Sequence, residues 1–143
     1  MKPMTLEWIS KAEGDFTIVE RESRARKNPI YDGICFHAQQ CAEKYLKARL
    51  CEADISFVRT HDLVVLLDKV ILLEPLWESH RRNLAYLSDF AVYFRYPGES
   101  ADRSIALQAR SYIRLFREDA RISLCLSGPR APKCRAKHAE RNM

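Results

Sequence analysis

The chain has 143 residues, 47% of them hydrophobic and 10% aromatic, which is enough for one domain with a real core. Its formal charge of +5 gathers at the C-terminal end: residues 128–143 hold Arg130, Lys133, Arg135, Lys137 and Arg141 against Glu140 alone, leaving 19 basic and 18 acidic residues in positions 1–127. A nearly neutral domain excludes function by bulk positive charge, and apolar runs no longer than residues 63–67 and 70–73 exclude a membrane span.

The first helix is expected to start at Thr5 as N-cap and to run to about Lys27, because Trp8, Ala12, Phe16 and Val19 keep the helical period and Asn28-Pro29 forbids continuation. Asp32 is expected to cap a second helix reaching about Glu52. In that helix Ile34, Ala38, Cys41, Tyr45 and Ala48 alternate by four and three, an apolar seam that faces other helices. A second stripe carries Gln40, Glu43, Lys44 and Lys47. There Glu43 precedes Lys47 by four residues, the favourable order for an ion pair, and Gln40 is within reach of Glu43 and Lys44. The plain alternative for this stripe is a solvated charged face.

After a loop over residues 53–59, Thr60 is expected to cap a third helix with Leu63, Leu66, Leu67, Val70 and Ile71 on one face up to Leu73, where Pro75 ends it or starts the next turn. A fourth helix is expected over about Glu78 to Phe94, with Leu84, Leu87, Ala91 and Phe94 inward, broken by Pro97-Gly98. The fifth, capped by Ser100 or Asp102, keeps Ile105, Ala109, Tyr112, Ile113, Phe116, Ala120 and Leu124 in register until Gly128-Pro129. No segment alternates with period two. The expected fold is all-α, an antiparallel up-and-down bundle of four to five helices over residues 1–127, with a basic, mobile tail over 128–143.

Five cysteines, Cys35, Cys41, Cys51, Cys125 and Cys134, are odd in number and never spaced as CxxC, which reads as core thiols in a reducing cytoplasm; the N-terminus has no signal-like apolar segment. His37 and Cys41 at i, i+4 supply half a metal site, but His61, His80 and His138 stand isolated, so neither a metal nor another cofactor is expected. Arg95 beside the Pro-Gly break is placed to hold a phosphate with its guanidinium fork, the alternative being a contact with the last carbonyls of its own helix. Tyr96 next to it is suited to stacking on a base or to covering a bundle end. His61 is a candidate for acid–base work with no partner legible in the sequence, while Asp62 reads as structural, favoured by the helix dipole. Asp15, Glu43, Lys44 and Lys47 are candidates for a polar network with Arg95 or His61.

The run FHAQQCAEKYLKA over residues 36–48, followed by His61-Asp62-Leu63 and by Arg95-Tyr96-Pro97, resembles the HEPN family (higher eukaryotes and prokaryotes nucleotide-binding), and Trp8, Lys11, Ala12, Asp15 and Phe16 fit that family's first helix. The resemblance covers residues 5 to about 126. It implies a helical domain that binds nucleotide or RNA through Gln40, Glu43, Lys44, Lys47, Arg95 and Tyr96, acting as the toxin-type or accessory partner of a minimal nucleotidyltransferase and often as a homodimer. Helix two, with Phe36, Ala42, Leu46 and Leu50 on further faces, offers a dimer surface. An alternative is a metal-independent endoribonuclease with Arg95 and His61 as catalytic candidates. Catalytic members are similar in using an arginine, four to six residues and a histidine; counting from Arg95, those positions hold Ser100, Ala101 and Asp102. A third alternative is a non-catalytic scaffold for a partner protein.

Overall fold

The computed structural model describes residues 1–126, and the expected tail over 128–143 lies outside them. Five α-helices form the domain: α1 (Pro3–Ser23), α2 (Tyr31–Glu52), α3 (Leu63–Val70), α4 (Arg81–Ser88) and α5 (Arg103–Ser123), with no strand among the described residues. The all-α bundle expected from the periodicity is what forms.

The bundle is built around α2. Its seam residues Ile34, Ala38, Cys41, Tyr45 and Ala48 are all buried, and so are Cys35, Ala42, Leu46 and Leu50 on its other faces. A helix that is apolar on several sides belongs in the middle of a bundle. Accordingly α1 packs along α2 most extensively, α5 next, and α1 and α5 touch each other little. The same burial overturns α2 as a dimer surface, since Ala42, Leu46 and Leu50 are covered by the chain's own helices and Phe36 is half-buried. On α5, Ala106, Ala109, Ile113, Phe116 and Ala120 face inward, and Trp77 and His80 meet the Phe116 ring edge-on at 5.1 and 5.2 Å. Each fully buried Leu or Ile contributes about 2 kcal/mol.

Helix boundaries differ from expectation for identifiable reasons. Helix α1 begins at Pro3, whose fixed φ suits a first helical position, so Thr5 is buried inside the first turn and does not cap it; its end at Ser23 comes before Lys27, with Asn28 at φ 47 making the turn. Asp32 lies in the first turn of α2 behind Ile30 and instead accepts from the Ala101 N–H at 2.7 Å, tying the start of α2 to the entry of α5. Asp62, not Thr60, caps α3, accepting from the Val64 and Val65 N–H groups at 2.9 and 3.3 Å, while the Thr60 hydroxyl accepts from the Asp62 N–H. Helix α3 stops at Val70. Asp102 caps α5, accepting from Ile105 at 2.8 Å, and the helix ends at Ser123.

The largest difference is the fourth helix. Only Arg81–Ser88 is α-helical; Pro75–His80 before it and Asp89–Ala91 and Tyr93–Arg95 after it are 3-10 turns. Tyr86, Phe90 and Phe94 keep their i, i+4 contacts through these tighter turns, at ring separations of 5.3 Å each, so the apolar period looks unbroken in the sequence. Gly98 at φ 94 then turns the chain towards α5. Cys35 and Cys41 are buried free thiols and Cys51 is half-buried; Cys125 is not a free thiol, and Cys134 lies outside the described residues.

Candidate functional site

The polar stripe of α2 is not a solvated face. Glu43 and Lys47 are 4% and 6% exposed, and the ion pair expected from their spacing forms, Nζ to Oε2 at 3.0 Å. The Lys47 ammonium also sits 5.4 Å from the Trp8 ring centroid and 5.7 Å from that of Phe57, so its charge meets a carboxylate and two aromatic faces in place of water. Helix α1 supplies Trp8 and the segment leading to α3 supplies Phe57, closing the lid over this pair.

Glu43 carries a second load. Its Oε1 lies 2.9 Å from His61 Nδ1 and accepts from Gln39 Nε2 at 3.2 Å; the same Gln39 amide donates to the His61 carbonyl at 2.9 Å. The backbone and the ring of His61 are thus both held from α2, although the imidazole itself is 65% exposed. A carboxylate acceptor at Nδ1 favours, in the neutral ring, the proton on that nitrogen and the lone pair on Nε2. That is the arrangement of a general base, or of an acceptor for a ligand hydroxyl. Gln40 does not reach Glu43 or Lys44; it donates to Gln39 Oε1 at 2.7 Å and steadies the amide in the next position.

Lys44 points to α1. It pairs with Asp15 Oδ2 at 2.5 Å, while His37 Nδ1 lies 2.7 Å from Oδ1 of the same carboxylate, so Asp15 joins a network as expected, though a different one from Glu43. Deeper along α1, Glu13 receives both Nε and Nη2 of Arg117 at 2.7 Å and the Tyr45 hydroxyl. Burial raises the pKa of Glu13, but the Arg117 fork and the Tyr45 hydroxyl outweigh it and hold the carboxyl below its ordinary value. Burial, then the neighbouring Glu13, push the Tyr45 phenol up.

Arg95 joins none of these networks. It is exposed and, among the described residues, makes no side-chain hydrogen bond or ion pair, and Tyr96 beside it is 66% exposed. Its position in a 3-10 turn past α4 replaces the expected helix C-terminus. The turns after α4 pack on α2, and Ser88 at the end of α4 accepts from the Leu63 N–H at 3.0 Å, which sets the opening of α3 next to the end of α4. Arg95, Tyr96 and His61 therefore belong to segments gathered around α2 and lie open to solvent, with Glu43 and Lys47 beneath His61 as support. Sequence reading missed Gln39, and it gave His37 as half of a metal site with Cys41 where the ring instead pairs with Asp15. Both sit in the run 36–48, and the signal for Gln39 was a glutamine on the buried seam side of α2, where an amide needs partners.

No group of three or more His, Cys, Asp or Glu side chains is arranged to hold a metal among the described residues, and no helix there is long and apolar enough to cross a membrane. A family model described as HEPN domain matches residues 5–123, and the chain belongs to the HEPN domain family. Comparison with curated proteins and with solved structures found no match. Membership supports a function related to nucleotides or RNA in general.

Proposed function

We propose that this HEPN domain binds nucleotide or RNA through Arg95, Tyr96 and the open edge of His61, with Lys44 and Gln40 at the half-buried margin and Glu43 and Lys47 as the support beneath. The observation that carries this reading is Arg95: a guanidinium left exposed and unpaired next to an exposed tyrosine, where most arginines of α5 are committed to carboxylates. A free fork takes a phosphate bidentately, and the tyrosine face takes a base. Family membership supports extending the role to a toxin-type or accessory partner of a minimal nucleotidyltransferase, and to a homodimer whose contact falls on elements other than the covered faces of α2.

A second reading, metal-independent RNA cleavage, is favoured by the His61–Glu43 pair, in which a buried carboxylate orients an exposed imidazole. One experiment tests both. A short labelled single-stranded RNA is followed by fluorescence anisotropy at physiological salt with EDTA present, and its integrity is read on a gel. Wild type is expected to bind and Arg95→Ala to lose about tenfold in affinity with its melting temperature unchanged. Equal affinity in the two proteins contradicts the binding site. Cleavage that disappears in His61→Ala establishes the enzyme reading; intact RNA leaves binding.

A further inference from the structure

Helix α5 carries Arg103, Arg110, Arg114, Arg117 and Arg121 at intervals of seven, four, three and four residues. Those intervals keep all five on one side of the helix. Because α1 and α5 both pack on α2 and barely on each other, a trough of about 630 Å³ runs between them. Its walls include Arg110, Arg114 and Arg117 from α5 and Glu20 and Phe16 from α1, with Leu107 and Leu115 adding apolar surface.

The arginines are held in graded fashion. Arg110 gives Nε and Nη2 to Glu20 at 2.9 and 3.3 Å, and Arg117 gives both to Glu13 while its guanidinium lies 4.2 Å from the Phe16 ring centroid. These forks are rigid, and each keeps Nη1 for another acceptor. Arg114 reaches Glu20 only at 3.6 Å, on a carboxylate that Arg110 already occupies, and its side chain is 53% exposed. Arg121 completes the row, 3.5 Å from Glu13. Along this line four arginines face two α1 carboxylates, with the exposed Arg103 two turns further, outside the trough, and Glu118 the remaining acid of the trough. The trough is a pre-organised row of donors with a positive excess.

We infer that the α1–α5 trough is a second nucleic-acid contact, taking the phosphate backbone of a single RNA strand along the Arg110, Arg114 and Arg117 row. One phosphate would leave most of the trough empty; a strand fills it, because donors one helical turn apart meet successive phosphates and sugars pack on Leu107, Leu115 and the Phe16 edge. The inference goes beyond the Arg95 site, which lies on another segment, and rests on charge complementarity and row geometry. An acidic protein partner would need the same positive excess but gains nothing from a row with strand-like spacing.

The test measures affinity of the full chain for a short labelled single-stranded RNA across a series of salt concentrations. The variants are Arg114→Gln, whose loose contact makes it safe for folding, Arg82→Gln, an exposed arginine of α4 that does not line the trough, and Arg95→Ala. Arg114→Gln is expected to weaken binding about fivefold and to lower the slope of log affinity against log salt by about 1, while Arg82→Gln changes neither. Indistinguishable effects of Arg114→Gln and Arg82→Gln overturn the trough, as does a wild-type chain that binds no RNA at all. Loss in Arg95→Ala with none in Arg114→Gln overturns the trough alone and leaves the Arg95 reading standing.

Discussion

Glu43 is the side chain on which most of the site depends. One carboxylate neutralises a buried ammonium, orients an exposed imidazole and accepts from a buried amide. Removing one partner of such a pair leaves an uncompensated buried charge, which costs far more than removing both. Lys47→Ala is therefore expected to destabilise the fold by about 3–5 kcal/mol, and the double change Glu43→Leu with Lys47→Leu to cost less than Lys47→Ala alone, as read from urea unfolding. A double variant as unstable as the sum of its singles would show that the pair is not coupled. The pair itself was legible from spacing; its burial was not, because i, i+4 opposite charges describe a surface stripe as well as an interior one, and what decides is Trp8 and Phe57 arriving from elsewhere in the chain.

Among elements, the seam of α2 and the inward face of α5 could be read from period alone, since burial on one helix face is a local pattern. Helix four could not. Tyr86, Phe90 and Phe94 preserve their contacts across 3-10 turns, so the period survives where the α-helix does not, and Arg95 comes to stand on an open turn. The caps went the other way: Asp62 took the role assigned to Thr60 because it stands immediately before the first helical residue, where its carboxylate accepts from two N–H groups at once. Ion pairs through Glu13 and Glu20 tie α1 to α5, and they have a pH consequence. Both carboxyls lie below the ordinary value of 4.5 in the folded chain, Glu13 because the Arg117 fork and Tyr45 outweigh burial, Glu20 chiefly through Arg110. Groups whose folded value is depressed give stability that is complete above about pH 4.5 and is lost as pH falls through the folded value. Glu13→Gln is expected to cost about 1–3 kcal/mol at neutral pH and to fall less steeply than wild type on acidification below that point. Parallel stability curves for the two proteins in acid would contradict the clamp.

For the whole molecule, the arrangement puts a largely covered helix in the middle and leaves the most exposed polar chemistry to what surrounds it. Helix α2 supplies support from below, and the exposed chemistry comes from the turn after α4, the entry to α3 and the outer side of α5. This is why the site residues named from the sequence divide as they do: those on α2 are partly or wholly buried, while Arg95, Tyr96 and His61 are open. The HEPN match over residues 5–123 spans all of these segments. The most direct measurement is a titration of isotope-labelled protein with a short single-stranded RNA at physiological salt, followed through backbone amide shifts. Saturable shifts are expected at Arg95 and Tyr96 and across residues 59–63, with the interior of α2 moving little beyond Gln39 to Lys44. Saturable binding that leaves Arg95, Tyr96 and His61 unshifted would contradict the proposed site.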